Sequence, residues 1–487
     1  MTFLRYLFLL ALPGYLLLAV DGKPPNILFI VSEDNGPEIG CYGTPIATPN
    51  LDQLAEEGTL FANAYVPQAG CSQSRAAFLT GLYPHQNGQI GLATWNYSMY
   101  SGKLPNMVSV LKKSGYRTGI IGKLHVKPKE AFPFDFKEVT SSNFSRKKMA
   151  SYAREAERFI ADGDRPFYLQ VNYPDAHRPF IKTVDQLPVS PLTGKDVDAI
   201  PYMGINHPEL RQQTADYYNC MMRLDAYIGE LLKVLNASGK EKNTVVVYIG
   251  DHGADLLRGK RTCYEGGVKI PMIIRWPGAK AGQRRNELVS TLDLFPTFCE
   301  IAGVQVPGRT IGGFRRPGIS LKALLHGQNP KWRSYLFTGF HLHSNHNPWP
   351  QRTVRGERYK LIYNPIAGEV NPGYTFTMGK KFFDTPEEQL LAAAPANIRK
   401  AYRLMKRPPR YELYDLEKDP YEFNNLAADP SCSGILQQLR SELEQWQKDS
   451  GDPLARPELA RRLFDLIREA GTEKRTVLNY QFMRIKP

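Results

Sequence analysis

Apolar positions along the chain gather into four short runs, and each run ends on charged or metal-capable side chains. Ile27 to Val31 leads into Glu33-Asp34, and Thr118 to Ile121 leads into Lys123 and His125. Phe167 to Val171 leads into Asp175 and His177-Arg178, and Thr244 to Ile249 into Asp251-His252. The runs are brief and rich in β-branched and aromatic residues, as strands buried on both faces of a parallel sheet are. Helical patterns lie between them. In Thr48-Pro49-Asn50-Leu51-Asp52-Gln53-Leu54-Ala55 the threonine is placed to cap, the proline suits a first turn, and Leu51 and Leu54 share a face. Alternating strands and helices predict a doubly wound sheet, and such sheets bind ligands outside the carboxyl ends of their strands. The four polar clusters are therefore expected to meet on one sheet edge.

After about residue 350 the texture changes. Arg358-Tyr359-Lys360-Leu361-Ile362-Tyr363 and Tyr411-Glu412-Leu413-Tyr414-Asp415 predict strands of a small antiparallel sheet, and the amphipathic stretch from Ile435 to Trp446 predicts a terminal helix. The expected organisation is an α/β catalytic domain over residues 23–350, with a large mixed, mostly parallel sheet sandwiched by helices, followed by a smaller α+β domain over 351–487. A chain of 487 residues is long enough for both cores.

The first residues read differently. Arg5 precedes an apolar run from Tyr6 to Val20, broken by Pro13-Gly14 and followed by Asp21-Gly22-Lys23. Such a run falls short of the ~20 residues that span a bilayer, so residues 1–22 are expected to be an export signal without stable membrane insertion. Export would place the protein in a periplasm or outside the cell if bacterial, or in a lysosome if eukaryotic. Asn96, Asn143 and Asn236 each open an Asn-x-Ser triplet. Six cysteines, Cys41, Cys71, Cys220, Cys263, Cys299 and Cys432, are too few for a disulfide framework and contain no zinc-type pair. A net charge of +14 points to an anionic partner, and an exported basic chain meets anionic polysaccharide before nucleic acid.

The hard donors Glu33, Asp34 and Asp251, with His252, suit a divalent cation such as calcium. Lys123, His125, His177, Lys260 and Arg261 supply cations and acid/base groups for an anionic substrate. The segment Cys71-Ser72-Gln73-Ser74-Arg75-Ala76-Ala77-Phe78-Leu79-Thr80-Gly81 resembles the signature of the formylglycine-dependent sulfatases of the alkaline phosphatase superfamily, with Gln73 where that family usually has proline. The resemblance continues from Asn26-Ile27-Leu28-Phe29-Ile30 through Gly122-Lys123-Leu124-His125 to Asn424-Asn425-Leu426-Ala427.

What the resemblance implies is specific. Cys71 would be oxidised to formylglycine by a formylglycine-generating or anaerobic sulfatase-maturing enzyme, and would join Glu33, Asp34, Asp251 and His252 around one Ca2+. Glu33 and His252 stand where the family has Asp and commonly Asn. Arg75 and Lys123 would hold the aldehyde hydrate, His125 would help the intermediate collapse, His177 would protonate the leaving group, and Lys260 would bind sulfate oxygens. Within the family the nearest likeness is to the heparan N-sulfatase branch, carried by Thr80 to Gly88, Arg117 to Val126 and Asp175-Ala176-His177-Arg178. The substrate expected is then a sulfated saccharide, contacted by Asp175, Arg178, Arg261 and His343, with His346 a weaker candidate; a homodimer is compatible with this reading. The alternatives are a carbohydrate O-sulfatase, a phosphonate or phosphodiester hydrolase of the same superfamily, and, if Gln73 prevents oxidation of Cys71, a non-catalytic binder of sulfated glycans.

Overall fold

The computed structural model describes residues 24–140, 146–308, 310–311, 313–473 and 480–484. Residues 1–22, expected to be an export signal, and the Asn143 triplet lie outside the described residues. The four apolar runs are strands, each slightly longer than its pattern. They are β1 (Asn26–Ser32), β3 (Arg117–Gly122), β5 (Phe167–Tyr173) and β6 (Thr244–Gly250). Four shorter strands join them: β2 (Thr59–Phe61), β4 (Phe136–Glu138), β7 (Met272–Arg275) and β8 (Gln283–Arg285). Together they form one sheet in the order β8-β2-β7-β6-β1-β5-β3-β4. Pairing is parallel from β6 across β1, β5 and β3 to β4, whereas β7 runs antiparallel to both β6 and β2. This is the mixed, mostly parallel sheet that the pattern predicts.

Both faces of the central strands are covered, which is why their sequences are apolar throughout. Leu28, Ile30, Leu169 and Val171 pack on one side with Leu224 and Leu231 of the long helix Pro208–Ala237; Ile27, Phe29 and Val31 pack on the other with Phe78 and Phe298. Helix α1 (Pro49–Glu57) starts where expected, but the Thr48 side chain does not cap it. Thr48 Oγ1 accepts from the Gly40 N–H at 2.8 Å and donates to Asp52 at 3.1 Å. The cap comes from outside, because Asp225 on the long helix accepts from the N–H groups of Asn50 and Leu51 at 3.2 and 2.8 Å. An acceptor supplied from another helix leaves no local sequence signal.

The C-terminal sheet is an antiparallel meander of β9 (Leu336–Phe340), β10 (Gln351–Arg355), β11 (Tyr359–Tyr363) and β12 (Tyr411–Asp415). Its first strand thus begins ahead of residue 350. Between β11 and β12 the chain makes an excursion over residues 364–410 that contains three short helices, Pro372–Thr377, Glu387–Ala392 and Ala396–Lys406. The helix Ser433–Ser450 lays Leu439, Leu443 and Trp446 against Val354, Leu361 and Leu413.

Trp446 stacks on Phe337 with ring centroids 5.0 Å apart and meets Tyr83 and His85 edge-on at 5.1 and 5.6 Å, so one side chain ties the meander to the larger domain. Trp446→Ala is expected to lower stability by about 3–5 kcal/mol in denaturant titration, and Trp446→Phe, which keeps a ring for Phe337, by less.

A second measurement reads a buried acid. Glu38 is 8% exposed and accepts from the Tyr217 hydroxyl at 3.0 Å, and burial raises its pKa from 4.5 to about 7. The unfolded chain releases this proton near the lower value, so between the two values the folded state binds more protons and stability falls as pH rises. Glu38→Gln is expected to flatten that decline, melting higher than the wild type at about pH 8 by roughly 3 kcal/mol of stability and losing the advantage at about pH 4.

Candidate active site

The register of the sheet builds the floor of the site. Ser32 pairs with Gly250 across β1 and β6, which brings Glu33-Asp34 and Asp251-His252 together beyond the strand ends. The Asp34 N–H donates to Asp251 Oδ1 at 2.9 Å. Lys123 and His125 follow β3 after Gly122, whose φ is 89° and where a Cβ would stand 2.3 Å from the Asn172 carbonyl oxygen, so the chain turns into the site only through glycine. Asp34 and His125 hold left-handed backbone, with φ of 51° and 57°. Such backbone costs about 1 kcal/mol or more per residue and clusters at functional sites.

Helix α2 (Cys71–Thr80) aims at this floor, with Cys71 as its first residue after the extended Gly70. Unpaired N–H groups and the helix dipole favour an anion at that end. Gly81 closes the helix at φ 65°, and a Cβ there would stand 2.8 Å from Phe295. Cys71 is 2% exposed, with Sγ 3.3 Å from His252 Nε2 and 3.9 Å from Asp34 Oδ1. Burial pushes its thiol well above the ordinary range, so the unmodified sulfur is a poor nucleophile. Gln73, the departure from the signature, has a structural use. Its Nε2 donates to the carbonyls of Leu342 and Ile90 at 2.7 and 3.3 Å, bonds that proline could not make.

Three carboxylates and three cations share the buried floor. Arg75 donates to Asp251 at 3.0 Å, Glu33 at 2.8 Å, Asn172 Oδ1 at 2.8 Å and the Lys123 carbonyl at 3.0 Å. Lys123 pairs with Glu33, and Lys260 reaches both oxygens of Asp34 at 2.8 and 2.9 Å. Burial works to raise Glu33, but Lys123 and Arg75 overcome it and hold the carboxyl well below its usual range. Burial likewise opposes the charge on Lys260, and Asp34 more than restores it. His125 and His177 are both pushed down by burial, with Lys123 adding to the effect on His125.

The donor set fits a divalent cation. Oxygens of Glu33, Asp34 and Asp251 lie within 4.8 Å of one another, and so do donor atoms of Asp34, Cys71 and His252. His252 Nδ1 lies 3.0 Å from the Gly253 carbonyl, which can only accept, so the proton sits on Nδ1 and the Nε2 lone pair turns toward Asp34 and Asp251. Carboxylates suit hard cations, and an imidazole extends the set toward borderline ones.

The expected sugar contacts divide. Asp175 is fully buried and held by Arg223 at 2.7 Å and Arg146 at 3.4 Å, so its carboxylate anchors the loop after β5 instead of facing a ligand. Arg178 and Arg261 lie together around Asp255. His343 feels Lys260, Arg261 and His252, and its Nε2 is buried with no hydrogen-bond partner among the described residues. His346 stacks on Phe376 at 5.2 Å and meets Trp95 edge-on. The sequence patterns single out neither Asn172, which steadies Arg75, nor Asp255, Gln213 and Phe382, which frame the arginines. Asp255 lies four residues beyond Asp251 and offered the nearest signal.

Known proteins resemble the chain along most of its length. The family model described as Sulfatase matches residues 25–304, and that described as N-sulphoglucosamine sulphohydrolase, C-terminal, matches 250–370. Human N-sulphoglucosamine sulphohydrolase is 31% identical over 465 residues, covering 88% of this chain and 91% of its own. Human arylsulfatase A is 30% identical, covering 89% of each. Among solved structures, a protein in complex with its substrate D-glucosamine-2-N,6-O-disulfate has a TM-score of 0.65 at 21% identity, covering 88% of this chain and 98% of its own. A phosphonate monoester hydrolase of Agrobacterium radiobacter has a TM-score of 0.64 at 20% identity, covering 88% and 96%. At those identities the structures speak for the fold.

Proposed function

Because the chain belongs to the sulfatase family, whose members use a formylglycine and a divalent metal, we propose that it hydrolyses the N-sulfate of glucosamine in heparan sulfate and heparin fragments, with Cys71 as precursor of the nucleophile. The observation that carries the reading is Cys71 at the head of α2, its sulfur beside His252 and Asp34, within the field of Lys123 and Lys260. The choice of N-sulfate is supported by the match over residues 250–370 and by the human relative.

Once Cys71 is oxidised to the aldehyde and the aldehyde has added water, one hydroxyl of the hydrate would be the nucleophile toward sulfur, and a cation held by Glu33, Asp34, Cys71, Asp251 and His252, proposed as Ca2+, would supply positive charge for the sulfuryl oxygens. The chain's own residues do the remainder. Arg75 fixes Glu33 and Asp251 in place through the bonds described above. Lys123 and Lys260, already desolvated, add positive charge where sulfuryl oxygens would lie. His177, whose Nδ1 sits 2.6 Å from the Arg178 carbonyl and so keeps its proton there, can pass a proton to the departing nitrogen from Nε2 once Nε2 has taken one up to form the imidazolium. His125, with neither ring nitrogen hydrogen-bonded among the described residues, would take a proton from the remaining hydroxyl of the hydrated aldehyde as sulfate leaves with the attacking oxygen and the aldehyde reforms. Export through residues 1–22 belongs to the same proposal, and amino-terminal sequencing of the secreted protein checks it.

Peptide mass spectrometry across Cys71, with sulfate release from N-sulfoglucosamine, tests the reading. A loss of about 18 Da at Cys71, as thiol becomes aldehyde, together with release supports it. The aldehyde with release only from O-sulfated sugars or from a phosphonate monoester moves the substrate, and an unmodified cysteine throughout leaves a binder of sulfated glycans. Elemental analysis of the purified protein identifies the cation.

A further inference from the structure

We propose that Arg178 and Arg261, set around Asp255 beside the sulfate site, form a second anion subsite, so that the preferred substrate carries a further sulfate or a carboxylate on or next to the glucosamine that loses its N-sulfate. The inference rests on the N-sulfatase reading and adds to it the class of substituent the substrate must carry.

Charge is the first argument. Asp255 commits its carboxylate to Arg261, accepting from Nη1 at 3.1 Å and from Nη2. Among the described residues, Arg178 has only neutral acceptors at bonding distance. Its Nε donates to the Asp255 carbonyl at 2.7 Å and its Nη2 to Gln213 Oε1 at 2.6 Å, while the Asp255 carboxylate stays 4.0 Å away. Lys260, next along the chain, is taken up by Asp34. Two guanidiniums therefore share one carboxylate, and a positive charge is left over in a largely desolvated corner.

The free donors are the second. Arg261 Nε is buried with no hydrogen-bond partner among the described residues, and Arg178 keeps 21% of its side chain exposed. Phe382 lies under both guanidiniums at 5.2 Å, with Phe180 at 4.6 Å from Arg178 and Phe376 at 5.6 Å from Arg261. Rings that cover the flat faces leave the in-plane N–H groups for an acceptor, the geometry in which arginine takes sulfate or carboxylate.

Position is the third. The Arg261 N–H donates to the Ala69 carbonyl at 3.1 Å, two residues ahead of Cys71. Phe382 is pinned to the long helix, where Gln213 Nε2 donates to its carbonyl at 2.8 Å and Glu209 accepts from the N–H groups of Asp384 and Thr385. The subsite thus joins a fixed wall to the floor of the site.

The experiment compares N-sulfoglucosamine, N,6-O-disulfoglucosamine and a disaccharide of N-sulfoglucosamine with a uronic acid, in the wild type and Arg178→Gln. The expected result is a kcat/KM about tenfold or more higher for at least one of the doubly anionic substrates, gained through KM, and a ratio near one in the variant. The sulfated and uronate arms identify which anion is recognised. Equal kcat/KM in the wild type, or a preference that survives in Arg178→Gln, overturns the subsite. Calorimetric binding of glucosamine 6-sulfate against glucosamine needs no turnover and carries the same two expectations. Absence of sulfate release from all three compounds, with Cys71 oxidised, overturns the N-sulfatase reading alone, and the calorimetry then decides the subsite.

Discussion

Alanine at Cys71 is expected to lower sulfate release by about 10⁴-fold or more while the protein stays folded. The sulfur is small and bonds to none of the three cations of the floor among the described residues, so its removal leaves Arg75, Lys123 and Lys260 paired with Glu33, Asp34 and Asp251 as before. Steady-state sulfate release and a thermal melt of the same preparation separate the two effects. Turnover that survives the substitution would place the nucleophile elsewhere, with His125 and His177 the first groups to examine. Because Cys71 is buried at the head of α2, the proposed maturing enzyme would have to reach it before the chain has closed over it. Conversion of protein purified in the folded, unmodified state is accordingly expected to be poor.

Arg75→Ala is expected to remove activity and destabilise the fold together, by about 3–5 kcal/mol in stability. The guanidinium is fully buried and satisfies Glu33, Asp251, Asn172 and the Lys123 carbonyl at once. Among the described residues, alanine would leave Asp251 without an arginine or lysine partner and Glu33 with Lys123 alone. Lys123 and Arg75 together outweigh burial at Glu33; without Arg75 the depression of its pKa shrinks, so the stability gained as Glu33 ionises is smaller in the variant and its deficit against the wild type widens as pH rises through the acid range. Arg75→Lys keeps the charge without the planar fork and should fall between the two. Denaturant midpoints at two pH values, with sulfate release, check all of this; a variant as stable as the wild type would mean that the carboxylates draw little from Arg75.

The central sheet was legible because strands buried on both faces cannot hide their composition. Ile27 to Val31 and Thr244 to Ile249 are apolar without interruption, and the polar residues that follow stand where the strands leave the core. The residues meeting on the floor, Glu33, Asp34, Cys71, Arg75, Lys123, Lys260, Asp251 and His252, could be anticipated for the same reason. What escaped depends on partners far away in the chain. Asp175 looks like a ligand contact until Arg223, 48 residues later, is seen to neutralise it. Thr48 looks like a cap until Asp225 is found in that role, and Asp255 gains meaning only from Arg178 and Arg261. The small sheet begins at Leu336, inside the stretch assigned to the larger domain, because a β-strand that opens a meander carries no sign of which sheet it will join.

The excursion between β11 and β12 divides labour within the cleft. Strand ends of the large sheet supply the carboxylates of the floor and Lys123, and the loop after β6 supplies Lys260, whereas Phe376 and Phe382 of the opposite wall come from a segment that departs from and returns to adjacent antiparallel strands. A segment whose two ends are already held side by side can change in length and composition at little cost to the sheet beneath it. Descendants of such a chain are free to explore new saccharides by rewriting residues 364–410 while inheriting the bond-breaking apparatus unaltered, and a laboratory graft at the same two junctions would be the natural way to retarget it.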